Sequence, residues 1–160
     1  MCAPSTSARA SSTSGSGRTS GSSSWSTLTR GRLDPRVFGD QPTLAVIDVS
    51  FISLEKILPA VFGVLASRGE VVALVKPQFE VGREHASARA ASCAIRRSIG
   101  PRCSALARYV VLRGWHVLGV TASPLRGPKG NHEFFLHFTS HGRTASDLES
   151  MISRSIEALA

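Results

Sequence analysis

Apolar positions along the chain gather into short blocks from residue 42 onward, and each block has a readable period. Pro42-Thr43 followed by Leu44-Ala45-Val46-Ile47 and a stop at Asp48 reads as a turn and then a continuous apolar run. A run of that length suits a strand covered on both faces, as in a parallel sheet. Leu54, Ile57, Leu58, Val61, Phe62 and Leu65 then recur at the 3, 4, 7, 8 spacing of an amphipathic helix. Ser53 is placed to cap that helix, but Lys56 at the third position beyond it makes no capping box. Pro59 inside the pattern predicts a kink or a late start, and Gly69 predicts the stop.

Val71–Val75 predicts a second buried strand, ending at Lys76-Pro77. A helix around Ala105–Leu112 leads through Gly114 to a third strand over Trp115–Thr121. Residues 123–130 are rich in turn formers, Glu133–Phe138 reads as a fourth strand, and Asp147–Leu159 as a last helix. Strands alternating with helices give an α/β fold with a mostly parallel sheet. The last two strands are joined too closely for a crossover helix, so the last is expected to be antiparallel. Phe134, Phe135 and Phe138 on it are expected in the core.

Charge changes the picture for two segments. The 160 residues carry a formal net charge of +8, normally a sign of nucleic acid or an anionic surface as partner. All of the excess lies in residues 1–30, with three Arg and no acid, and residues 83–114, with seven Arg against one Glu. Of the first 28 residues 18 are Ser, Thr or Gly, too few apolar groups to offset the entropy of ordering, so residues 1–32 are expected to be a disordered tail. The plain reading is a flexible tail plus a basic surface helix or loop. The functional one is a pair of RNA-holding arms, and composition alone favours the plain one.

Other classes drop out. No apolar run approaches the roughly 20 residues that span a bilayer, so no membrane partner is expected. Cys2, Cys93 and Cys103 form neither a disulfide framework nor a CxxC pair, which makes a reducing cytoplasm the default location. His137 and His141 would face together only on a helix, and they fall where a strand gives way to a loop, so no metal site is expected.

In open α/β sheets ligands bind beyond the carboxyl ends of the strands. Asp48 and Lys76 each stand at such an end, and Pro77 holds Lys76 extended. Glu133, at the start of an antiparallel strand, comes to the same edge. A lysine near two carboxylates can take a proton or favour an alkoxide. Singly, each has a plain reading: Asp48 a turn or cap, Lys76 a solvated strand end, Glu133 a partner of Lys129. Arg126 and Lys129 in the turn-rich loop are candidates for RNA backbone contact, with Asn131 beside them.

Three stretches resemble one family: Asp48-Val49-Ser50-Phe51-Ile52-Ser53-Leu54, Val75-Lys76-Pro77-Gln78-Phe79-Glu80-Val81-Gly82, and Ser123-Pro124 through Gly130-Asn131-His132-Glu133-Phe134-Phe135. In order and spacing they are similar to the TlyA family, hemolysin-like ribosomal RNA 2′-O-methyltransferases with an FtsJ-type domain dependent on S-adenosylmethionine. The resemblance covers about residues 33–84 and 105–139. It implies the later part of a Rossmann-like methyltransferase sheet over 33–140, with 141–160 as a tail or helix. It also implies ribosomal RNA or the ribosomal subunit as partner. The family's Lys-Asp-Lys-Glu tetrad surrounds the target ribose hydroxyl, and its last three members carry over to Asp48, Lys76 and Glu133, with Asp48 also facing the cofactor. The first lysine, the glycine-rich cofactor loop and the S4-type RNA-binding domain precede this stretch in the family and are not expected in this chain.

The two basic segments also read as shifted reading frames. Codons for Ala90–Arg97, regrouped one nucleotide earlier, permit Gly-Val-Val-Arg-Asp-Pro-Ala, text the family carries soon after this motif. Residues 5–30 regroup to a string like the family's sequence after its cofactor loop. On that reading residues 1–32 and 84–104 are out of frame, the net charge is an artefact, and the chain is a truncated, inactive methyltransferase. The competing expectations are a non-catalytic basic RNA-binding protein and a non-functional pseudogene product.

Overall fold

The structure, a computed structural model, describes residues 7–11, 22–25, 33, 38, 40–80, 91–127 and 130–159, with backbone alone over 7–11, 22–25 and 91–99. The strands are β1 (Ser7–Ser11), β2 (Ser22–Trp25), β3 (Leu44–Asp48), β4 (Glu70–Val75), β5 (His116–Ala122) and β6 (Phe134–Thr139). The helices are α1 (Leu54–Phe62), α2 (Pro77–Glu80), α3 (Ala91–Leu112) and α4 (Leu148–Glu157). One sheet runs β2-β1-β3-β4-β6-β5. β3 and β4 are parallel, and β6 is antiparallel to both β4 and β5, so β3, β4 and β5 share one direction. The antiparallel last strand expected from its short connection is thus in place, inserted between β4 and β5.

The core explains the apolar blocks. Ile47, Val71, Ala73, Val75, Leu136 and Val117 line one face of the sheet, and Leu54, Ile57, Leu58 and Val61 of α1 are buried with them. Phe134 and Phe138 are fully buried, whereas Phe135 is half-buried. Trp115 stacks on Phe62 at 4.3 Å, and both rings meet Phe138 edge-on. α4 lies on β5 through buried Ile152 and through Ser155, whose hydroxyl donates to the Val120 carbonyl at 3.1 Å.

Pro59 does not delay α1, which starts at Leu54 and runs to Phe62. A proline removes the hydrogen bond to the carbonyl four residues back, here that of Glu55. The Tyr109 hydroxyl of α3 donates to that carbonyl at 3.0 Å, so the lost partner is replaced from another helix. α1 ends at Gly63 rather than Gly69. Gly69 instead permits a close approach, since a Cβ there would meet Leu65 Cβ at 2.9 Å, where the chain folds back to enter β4.

Within residues 1–32, residues 7–11 and 22–25 are strands: β1 pairs antiparallel with β3, and β2 with β1. β3 would otherwise offer an open edge, and unpaired backbone groups accept a neighbour whatever its side chains. The rest of residues 1–32 lies outside the described residues. Helix α3 begins at Ala91, not near Ala105. Alanine and arginine favour helix without any apolar period, so a periodicity argument sees only the stretch where Cys103, Leu106, Ala107 and Val110 are buried.

Candidate active site

β3 and β4 are parallel and in register, which brings their carboxyl ends together. Asp48 closes β3 and Lys76 follows β4 directly. Lys76 Nζ lies 2.6 Å from Asp48 Oδ1 and donates to Ser50 Oγ at 3.1 Å. The lysine side chain is only 11% exposed, while the Asp48 carboxylate is 56% exposed, so the pair opens to solvent on the aspartate side. Val75 pairs with Phe134 across the β4–β6 ladder, which puts Glu133 beside Lys76 at the next step.

Glu133 is buried. Loss of solvation pushes its carboxyl above the ordinary range, as does the nearby Asp48 charge. The Lys76 charge and a hydrogen bond from Gln78 oppose that rise without cancelling it. The other end of the same amide, Gln78 Oε1, is buried with no hydrogen-bond partner, an acceptor left open beside Glu133. Residues 123–127 close against Glu133: Ser123 N–H donates to the Glu133 carbonyl at 2.8 Å, and a Cβ at Gly127 would sit 2.7 Å from Glu133 Oε1.

The structure therefore brings Asp48, Lys76 and Glu133 together. Arg126 is exposed on the adjacent loop, and the backbone carbonyl of Asn131 accepts from Gly127 N–H at 3.0 Å. Lys129 lies outside the described residues. His137 instead pairs with Glu70 at 3.1 Å, and His141 with Thr139 at 2.8 Å.

Sequence reasoning missed four participants. Ser50 and Gln78 carry no signal of their own, because their partners are distant in sequence. Phe51 is 75% exposed and held at φ 66° between the strand end and α1, with its ring 4.8 Å from that of Phe79. A phenylalanine in the left-handed region is strained and persists only where its surroundings impose it. An exposed aromatic at the lip of a recessed polar site can stack a nucleobase. Glu80 accepts from the Leu54 N–H at 3.0 Å and from the Ser53 hydroxyl at 2.6 Å, and burial raises its carboxyl above the usual range.

Residues 25–140 match the family model of the FtsJ-like methyltransferases. The chain is 41% identical over 139 residues to the 16S/23S rRNA (cytidine-2′-O)-methyltransferase TlyA of Mycobacterium tuberculosis, covering 78% of this chain and 47% of that one. The chain belongs to the TlyA family of FtsJ-like methyltransferases. Hemolysin A of Brachyspira hyodysenteriae is 35% identical over 109 residues, covering 66% of this chain and 44% of its own length. A Lactococcus lactis protein whose crystal structure carries a hemolysin designation superposes with a TM-score of 0.72 at 31% identity, covering 82% of this chain and 63% of its own. The chain thus spans about half the length of the curated relatives it matches. Among the described residues no helix is long and apolar enough to cross a membrane.

FtsJ-like methyltransferases use S-adenosylmethionine. The described residues of this TlyA-family chain hold a nearly buried ammonium against a carboxylate, with a second carboxyl near enough to feel its charge.

Proposed function

We propose that this chain carries the acceptor site of a ribosomal RNA ribose 2′-O-methyltransferase dependent on S-adenosylmethionine, with Lys76, Asp48 and Glu133 as its catalytic residues. One observation carries the reading: a nearly buried ammonium sits 2.6 Å from Asp48 at the carboxyl ends of two parallel strands, beside a buried carboxyl. In the transfer, the ribose O2′ would form a bond to the methyl carbon as the methyl–sulfur bond breaks with its electron pair left on the sulfur, and the O2′–H bond gives up its proton. Lys76 assists the deprotonation as an ammonium that stabilises the developing oxyanion while the proton leaves to water, and Asp48 fixes the direction of that ammonium. Glu133 orients the ribose from the opposite side, and Asp48 also faces the cofactor. With Lys76 only 11% exposed and Phe51 75% exposed, the target nucleotide is read as presented unstacked, its base against Phe51. Arg126, Lys129 and Asn131 contact the RNA backbone beside it.

With ribosomal RNA as partner, the location read for the protein is the cytoplasm. A competing reading is that residues 1–32 and 84–104 are out of frame and that this chain is an inactive form, which methyl transfer by the chain would overturn. Resequencing the genomic locus tests that part, since a continuous frame with no single-nucleotide correction overturns it. For the function, the purified chain is incubated with ribosomal RNA and S-adenosylmethionine labelled in the methyl group. Transfer to a ribose 2′-oxygen that Lys76→Ala abolishes in a folded protein supports the reading. RNA binding that falls steeply with salt, without any transfer, would replace it with a non-catalytic RNA-binding role.

A further inference from the structure

The segments 48–54 and 76–80 lie side by side and are joined at three levels. Lys76 grips Asp48 and Ser50; Phe79 packs on Phe51; Glu80 takes the Ser53 hydroxyl and the Leu54 N–H. The first level holds the chemistry and the second the aromatic lip. The third touches neither, yet it keeps a half-buried carboxylate in a place where burial disfavours its charge. Capping alone does not require it, because Ser53 Oγ already accepts from Glu55 N–H at 3.2 Å.

What Glu80 adds is a fixed spacing between the two segments. α2 is a single rigid turn: Pro77 sets its first backbone angle and Phe79 N–H closes it onto the Lys76 carbonyl at 2.8 Å. A displacement at Glu80 is therefore passed to Lys76 through that turn, and to Phe51 through Phe79. We propose that Glu80 is a positioning residue, which sets the place of the Lys76 ammonium and of the Phe51 ring by anchoring α2 to the N-terminus of α1. The inference rests on Lys76 being the group that faces the ribose hydroxyl. Glu55, Arg102 and Cys103 are the other titratable groups around Glu80.

The test is competitive acylation of the full chain with acetic anhydride across pH, read by mass spectrometry at Lys76 with exposed Lys56 as internal reference. Glu80→Ala is expected to raise Lys76 acylation several-fold relative to Lys56 and to shift its pH profile. Glu80→Gln keeps an acceptor for Leu54 N–H and is expected to restore most of the parent profile, which the shorter Glu80→Asp does not. If Glu80→Ala fails to fold, Ser53→Ala and Glu80→Asp carry the same measurement. An unchanged Lys76 profile in the folded variants overturns the proposal. Methyl transfer separates this outcome from the reading beneath it. An active parent with a flat acylation profile sinks the role of Glu80 alone. An inactive parent whose Lys76 profile responds to Glu80 sinks the methyltransferase reading and leaves the positioning role standing.

Discussion

The two ends of the sheet are built on different plans. At the amino end of β4, hydroxyl groups reach the backbone, beside the side-chain pairs His137–Glu70 and His141–Thr139. The Thr139 hydroxyl donates to the Gly69 carbonyl at 3.1 Å, the Ser140 hydroxyl to the Ser67 carbonyl at 2.8 Å, and Ser140 N–H to the Gly69 carbonyl at 3.0 Å. At the carboxyl end, side chains are spent on one another. Asp48, Ser50 and Lys76 form one group, Gln78 and Glu133 another, and an exposed phenylalanine sits in a strained conformation above them. The first end closes the fold. The second stores polar groups that water cannot fully reach, which a fold spends stability to keep and an active site needs.

The comparison predicts which variants lose activity and which lose stability. Lys76→Ala is expected to cut methyl transfer by at least about 10²–10⁴, the range of a positioned acid–base group. Its melting temperature should stay near the parent's, because Asp48 is already open to solvent. A matching loss of melting temperature would show the carboxyl end to be structural as well. Gly69→Ala at the other end should do the reverse: a new Cβ 2.9 Å from Leu65 Cβ costs about 1–3 kcal/mol in denaturant unfolding, with transfer per folded molecule unchanged.

Phe51→Gly and Phe51→Ala lose the same ring but differ in backbone strain at φ 66°. The glycine variant should be more stable by about 1 kcal/mol, while both bind RNA equally weakly in filter-binding titrations. The smallest effect is pH-dependent. The Glu133 carboxyl is raised above 4.5 in the folded state, so the unfolded chain gives up that proton first. The contribution of Glu133 to stability is therefore fully present below 4.5 and is lost as pH rises through its folded value. Glu133→Gln keeps a neutral group there. Its melting temperature relative to the parent should be higher at neutral pH, and the gap should close as pH falls toward 4.5. A gap independent of pH would mean that desolvation does not dominate at this carboxyl.

Much of the site was legible because two of its residues are strand ends. The apolar runs 44–47 and 71–75 end at Asp48 and Lys76, and a sheet must bring parallel ends to one edge. Glu133 followed from the short β5–β6 connection, which forces an antiparallel return. Ser50, Gln78 and Glu80 were not legible, since each is identified only by a partner 26 or more residues away, or by one on another strand. Pro59 misled for the same reason: the residue that repairs its helix, Tyr109, lies on α3. The start of α3 was missed because an Ala/Arg-rich helix has propensity without an apolar stripe.

The sequence by itself determined what local physics controls: apolar blocks long enough for buried strands, an apolar stripe for α1, and strand ends that carry an acid and an amine. The tertiary structure decided what depends on distance in space rather than along the chain. It set the β2-β1-β3-β4-β6-β5 order, the three-level clamp between residues 48–54 and 76–80, and the burial that raises Glu80 and Glu133. A carboxylate has one chemistry in the sequence and another once its water is removed, and only packing removes the water.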